Sequence, residues 1–159
     1  MNTIADVYGI EKDSILLGNG AAELIYAVGR LSGFTGAFVP APGFSEYQAS
    51  MDAANIPVRE IFYRQRQNDD GTPYFEVPYL ALQTFAAELK GQDGRIIVFL
   101  GNPNNPDGTL LDKQSIKVLA QMLKDANSLL VIDESFIDFI GDESLRDNSH
   151  SMRELINQY

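Results

Sequence analysis

No cysteine occurs in the 159 residues. Disulfides, thiolate catalysis and cysteine-based metal sites are thereby excluded. Histidine occurs once, as His150 in a polar stretch, and a lone histidine there reads as solvated rather than catalytic. Basic residues are few: 12 Lys and Arg against 22 Asp and Glu, a formal charge of −10. Nucleic acid is excluded as a partner on that balance, because phosphate backbones are bound by clustered Lys and Arg. No apolar run approaches the roughly 18 residues a membrane span needs. The opening "MNTIADVYGIEKD" has neither the basic region nor the apolar block of a secretory signal. A cytoplasmic protein without a membrane partner is expected.

What is present is a core. Apolar residues make up 45% of the chain, enough at this length for one domain. Helical and strand-like stretches alternate. "SILLGNG" reads as a short strand or extended piece ending in glycines. From Ala21 a helix follows, with Leu24, Val28 and Leu31 on one face. "GAFVP" is a buried strand stopped by Pro40 and Pro42, and "SEYQASMDAAN" a helix opened by a Ser45–Gln48 capping box. "VREIFYR" alternates as one strand, and "NDDGTP" is a turn. A helix then runs from Pro78 to a stop at Gly91, with Leu82, Phe85 and Leu89 on one face. "RIIVFL" is a strand. The next helix has Asp112 as N-cap and buries Ile116, Leu119 and Leu123 before the strand "SLLVID". Strands joined by helices imply an α/β fold: a mostly parallel sheet with helices on both faces.

The last stretch, "SMRELINQY", carries Met152, Leu155, Ile156 and Tyr159 at helical spacing behind a Ser151–Glu154 capping box. A crossover helix calls for a further strand. Residues 1–159 are therefore expected to be a fragment of a larger domain.

Ligands of an open α/β sheet bind outside the carboxyl ends of its strands. Four polar corners take such positions: "GNGAAE" (18–23), "PAPGFSEY" (40–47), "NPNNPDG" (102–108) and "DES" (133–135). Gly18, Gly20 and Ala21 can bring backbone N–H groups to an anion at a helix N-terminus, although a plain glycine turn reads equally. Asp133 ends a buried strand with nothing basic within four residues. Its partner must come from elsewhere in the fold or from a ligand, unless it merely caps a turn. A nucleotide-triphosphatase reading fails because no Gly-Lys pair exists, and "GNGAAE" misses the last glycine of the dinucleotide fingerprint. Asp138, Asp142 and Glu143 read as a solvated acidic loop rather than a metal cage.

Together, "LLGNGAAELI", "PAPGFSEY", "LGNPNNPDG" and "VIDESFIDF" resemble, in order and spacing, the large domain of fold-type I pyridoxal-phosphate enzymes. The branch is that of histidinol-phosphate aminotransferase and threonine-phosphate decarboxylase, and the resemblance covers nearly the whole chain. It implies pyridoxal 5'-phosphate as cofactor and Asp133 as partner of the pyridinium nitrogen. It implies Asn105 as donor to the ring's phenolic oxygen and Phe44 as the aromatic stacked on the ring. Gly20, Ala21, Ala22 and Glu23 match the segment that holds the phosphate. Asn102 and Asn104 read instead as ties within their own corner.

Three positions depart from the family pattern. Asp107 stands where the family usually has Thr. Phe136 stands where it often has Tyr, which, with the "FIDF" run, is similar to the threonine-phosphate decarboxylase side. The Schiff-base lysine is missing: Lys12, Lys90, Lys113, Lys117 and Lys124 match no such position. The N-terminal arm, the rest of the large domain and the small domain would be missing as well. By resemblance, the expected parent is a homodimer acting on a phosphorylated amino acid or amino alcohol. Threonine-phosphate decarboxylation in cobalamin-type biosynthesis comes first, with histidinol-phosphate-type aminotransfer as alternative. A lysine-less, non-catalytic binding module is the alternative of another class.

Overall fold

Five consecutive apolar residues, Ile96 to Leu100, can all be buried only in a strand covered on both faces, because a strand's side chains alternate sides. The computed structural model, which describes residues 2–77, 79–89, 94–140 and 151–156, places that strand inside a sheet. Elements run α1 (Asn2–Tyr8), α2 (Ala21–Gly29), β1 (Phe34–Ala41), α3 (Ser45–Ala53), β2 (Val58–Phe62), β3 (Arg64–Gln67) and β4 (Pro73–Glu76). They continue with α4 (Tyr79–Leu89), β5 (Arg95–Gly101), α5 (Lys113–Asp125) and β6 (Leu129–Asp133). Four strands form a parallel sheet in the order β2-β1-β5-β6. The α/β architecture read from the alternation is the one observed.

The pleat sorts the core into two layers. Phe38, Ile96, Val98 and Leu100 face Leu82 of α4 and Leu119 and Leu123 of α5. Ala37, Val39, Ile97 and Phe99 face Ile25 of α2 and Tyr47 and Met51 of α3. None of the five residues from Ile96 to Leu100 is more than 6% exposed.

Helix α5 starts where Asp112 accepts the Ser115 N–H at 2.9 Å. The Ser115 hydroxyl and N–H hold the Asp112 carboxyl below its ordinary value of 3.8. A depressed folded-state value means stabilisation that is present above the ordinary value and lost as pH falls through the lowered one. Asp112→Ala is expected to cost about 1 kcal/mol at neutral pH. The gap to the parent, measured by urea titration, is expected to close below about pH 3.8.

Several boundaries differ from the expectations. "SILL" pairs with no strand, and Leu16 and Leu17 are exposed. Helix α2 ends at Gly29, so Ile25 is buried and Leu31 is half exposed. Strand β1 runs through Pro40 to Ala41. The Ala37 N–H bonds to Pro57 on the β2 side, so alternate residues aim theirs at β5, and the ladder to β5 stops at Phe38. Pro40 thus removes a donor that had no acceptor. The Ser45–Gln48 capping box does not form: Phe44 is the N-cap and makes no side-chain cap bond. "VREIFYR" is split between β2 and the antiparallel hairpin β3–β4, whose turn is tied by Thr72 N–H to Asp70.

Residues 153–155 form one 3-10 turn rather than the start of a longer helix, and residues 157–159 lie outside the described residues. Met152 and Leu155 are nevertheless buried, against Ile116. Ser151, the expected cap, donates instead to Glu134 Oε2 at 2.8 Å, while Glu134 Oε1 accepts the Met152 N–H. Pro78, Lys90, Gly91, Asp142, Glu143 and His150, and the side chains of Phe85, Leu89 and Glu154, also lie outside the described residues. Among the described residues no helix is long and apolar enough to cross a membrane, and no group of His, Asp and Glu is arranged to hold a metal.

Candidate active site

All four corners lie at one end of the sheet. β1, β5 and β6 deliver theirs directly, since parallel strands share a direction. Helix α2 lies alongside α3 in the same sense: the Glu46 carboxylate lies near enough to Tyr26 to raise its phenol, and a Cβ on Gly29 would lie 3.0 Å from the Ser50 carbonyl. Its N-terminus therefore sits beside that of α3, at the carboxyl end of β1.

Asp133 closes β6 in register with Gly101, and its carbonyl accepts the Asn102 N–H at 2.8 Å. The half-buried carboxylate has partners after all, and they are neutral. Oδ2 accepts from the Tyr47 hydroxyl at 2.9 Å, and Oδ1 accepts from the N–H of Ser135 at 2.9 Å and from its hydroxyl. Sequence distance hides the first partner, 86 residues away, while the Ser135 bonds are those of a side chain capping its own turn. Burial, then the Asp133 charge, pushes the Tyr47 phenol far above its ordinary value, so it remains a donor. A carboxylate offers about four acceptor positions, so the three bonds leave one open among the described residues.

The "NPNNPDG" corner is held by its own polar side chains. Asn102 is fully buried, and its Oδ1 accepts the Leu111 N–H at 2.8 Å. Asn104 donates to the Pro42 carbonyl at 3.0 Å and to Asp107 Oδ1 at 2.7 Å, joining this corner to the one after β1. Asp107 also accepts from the N–H and hydroxyl of Thr109. Asp two residues before Thr is the local sequence signal for such a clasp. Asn105 differs: it is half-buried, and its amide bonds no described residue.

The corner after β1 carries Phe44. A Cβ on Gly43 would lie 2.3 Å from the Pro40 carbonyl oxygen, so only glycine permits this turn. Phe44 is half-buried and meets Tyr47 edge-on, with centroids 5.7 Å apart. At the fourth corner Gly20 caps α2 with φ +84°, a left-handed value that suits glycine. Gly20, Ala22 and Glu23 are exposed and Ala21 half-buried. Glu23 folds back to accept from the Asn19 N–H and side-chain amide. An anion at this helix end is therefore served by backbone N–H groups, while the Glu23 charge opposes it.

The sequence that carries these four corners has relatives. The model of "Aminotransferase class I and II" matches residues 1–157. The chain belongs to the class I and II aminotransferase family. Within reach of this family member stands the adenosylcobalamin biosynthesis bifunctional protein CobDQ of Leptospira interrogans. It is 36% identical over 91% of this chain and 16% of its own length. A putative threonine-phosphate decarboxylase of Caldanaerobacter subterraneus is 32% identical over 87% of this chain and 35% of its own length. A histidinol-phosphate aminotransferase of Carboxydothermus hydrogenoformans is 31% identical over 87% and 36%. Among solved structures, a decarboxylase from Sulfurospirillum multivorans superposes with a TM-score of 0.72 at 27% identity, covering 99% of this chain and 41% of that one. The chain thus spans about a third of the length of most of these curated relatives.

Proposed function

We propose that this chain is the cofactor-binding part of a pyridoxal-phosphate-dependent enzyme acting on a phosphorylated amino acid or amino alcohol. The observation that carries the reading is Asp133, a strand-end carboxylate fixed by neutral donors and left, among the described residues, with one open acceptor position. The residues fit the group. Asp133 takes the pyridinium N–H, the uncommitted Asn105 amide takes the phenolic oxygen, and Phe44 covers a ring face. The N–H groups at Gly20, Ala21 and Ala22 take the phosphate, with Glu23 serving to tie the turn at Asn19. When bound, the protonated ring supplies an electron sink for charge developing at the substrate's α carbon. The residues of this chain bind and orient that ring and keep its nitrogen protonated.

Threonine-phosphate decarboxylation is the preferred activity, because relatives with that name or in adenosylcobalamin biosynthesis match at 32% and 36% identity. Aminotransfer of the histidinol-phosphate type is the alternative, supported by a relative of nearly equal identity. A cytoplasmic homodimer accompanies either reading.

Phe44 tests the ring face. Phe44→Ala is expected to weaken cofactor retention about tenfold, roughly 1.4 kcal/mol. Phe44→Tyr keeps a ring and is expected to retain the cofactor. Equal losses in both variants, measured by absorbance titration, would leave Phe44 a packing residue only.

The lysines raise a second reading. Lys12 lies in a 3-10 turn, while Lys113, Lys117 and Lys124 lie on α5, which packs on the sheet face away from α2 and α3. A covalent anchor needs an amine held beside the aldehyde and partly desolvated. The chain as given is therefore read as catalytically silent, and a lysine-less binding module stays the competing account. Incubation with pyridoxal phosphate, borohydride reduction and mass mapping are expected to yield only scattered, substoichiometric pyridoxyl-lysine. One stoichiometric adduct at a single lysine would sink the silent reading.

A further inference from the structure

We propose that Tyr47 is the positioning residue that aims Asp133 at the cofactor ring. The inference deepens the reading above and rests on Asp133 as the ring-nitrogen partner. Tyr47 belongs to α3, which packs on one face of the sheet against β1 and β5, and its hydroxyl reaches Asp133 Oδ2 at the end of β6 at 2.9 Å. Its own freedom is small. The side chain is 1% exposed, stacked on Phe99 at 5.1 Å and 13°, and met edge-on by Phe44 at 5.7 Å and 87°.

The end of β5 is shaped around that hydroxyl. A Cβ on Gly101 would stand 3.3 Å from the Tyr47 oxygen and 3.1 Å from both Cα and Oδ1 of Asn104. Glycine at 101 therefore keeps the path from Tyr47 to Asp133 open. Asn104 Oδ1 is buried beside it with no partner among the described residues.

Two oxygens held from two directions fix the plane of a carboxylate. Tyr47 holds one oxygen and Ser135 the other. Without the Tyr47 hydroxyl, Asp133 can turn about its side-chain bonds toward Ser135, and its open acceptor position no longer keeps one direction. Phe44 and Tyr47 lie three residues apart at the start of α3, so one helical turn presents both the ring cover and the hydroxyl behind the ring's charge partner. The other titratable side chain acting on Tyr47 is Tyr63, a buried phenol beside Asp107. Neither supplies Asp133 with a hydrogen bond.

The test uses the full chain and pyridoxamine phosphate, a probe that needs no lysine. Two quantities are read: its affinity, and the pH at which the bound ring nitrogen loses its proton, from ring absorbance. Tyr47→Phe keeps the stack and removes the hydroxyl. It is expected to weaken affinity about tenfold and lower the ring-nitrogen titration by about one pH unit. In the Asp133→Asn background the same change is expected to add nothing, because the residues act in series. An unmoved titration in Tyr47→Phe, or full additivity with Asp133→Asn, would overturn the proposal. If Asp133→Asn itself leaves the ring titration unchanged, the functional reading fails, and the inference fails with it. If Tyr47→Phe does not fold, Gly101→Ala takes its place, since it crowds the hydroxyl and is expected to lower the titration in the same direction. An unshifted Gly101→Ala would then count against the proposal.

Discussion

Asp133→Ala in the whole protein is expected to lower kcat/KM by roughly two to four orders of magnitude, or about 3–5 kcal/mol. The reason is that a charge pair in a partly desolvated site loses more when one member is deleted than the pair contributes as a unit. Removal of the carboxylate leaves the ring nitrogen without its counter-charge. It also leaves the buried Tyr47 hydroxyl without an acceptor, a loss of about 1–3 kcal/mol in fold stability. Asp133→Asn separates these effects, since an amide oxygen can still accept from Tyr47 but carries no charge. The Asn variant is expected to lose less stability than the Ala variant, because its one oxygen still serves Tyr47 while its NH2 faces the Ser135 N–H, and to share the kinetic defect of the Ala variant. Steady-state assays with a phosphorylated amino acid, alongside urea titrations, measure both. Near-normal turnover in the Ala variant would remove Asp133 from the chemistry.

Phe99→Ala is expected to produce the largest loss of folding stability, about 3–5 kcal/mol. Phe99 is fully buried in β5, an interior strand, in the layer with Val39 and Met51 on the face covered by α2 and α3. Truncation removes apolar contact and leaves a cavity that parallel neighbours on both sides cannot close. It also removes the ring on which Tyr47 is stacked at 5.1 Å. The loss is therefore expected to be accompanied by weaker pyridoxamine phosphate binding, whereas Leu119→Ala, in the opposite layer, destabilises without that second effect. Denaturation midpoints and ligand titrations on the two variants distinguish them. Equal binding defects would mean that core stability alone governs the site.

Much of this organisation is legible in the chain. Ile96–Leu100 announces a strand covered on both faces, and Asp112 with Ser115 announces a helix start, because both depend on neighbours in sequence. The four corners are legible for the same reason, as glycine, proline and asparagine break regular structure locally. The Tyr47–Asp133 bond is not, since it joins residues 86 apart and appears only when α3 packs across β5. The strand through Pro40 was hidden too: whether a proline ends a strand depends on which neighbour its missing N–H would have faced. Over the described residues 151–156 the expected terminal helix is replaced by a 3-10 turn, where tertiary contact overrides periodicity. Met152 and Leu155 are buried as the pattern implies, but Glu134 captures Ser151 and the Met152 N–H, and the described backbone there makes a single tight turn.

That capture has a consequence for the Asp-Glu pair. Asp133 turns one carboxylate toward Tyr47, and Glu134, the very next residue, turns another toward the segment at Ser151. Side-chain direction reverses with each step along an extended chain. A slip of β6 by a single residue would put Ile132 or Glu134 where Asp133 now meets Tyr47. Exchanging the two residues, Asp-Glu for Glu-Asp, preserves composition and net charge but would give the longer arm to Tyr47 and the shorter one to the segment at Ser151. In this sheet, the alignment of one strand is what divides the Tyr47-facing carboxylate from the one that fastens the segment at Ser151.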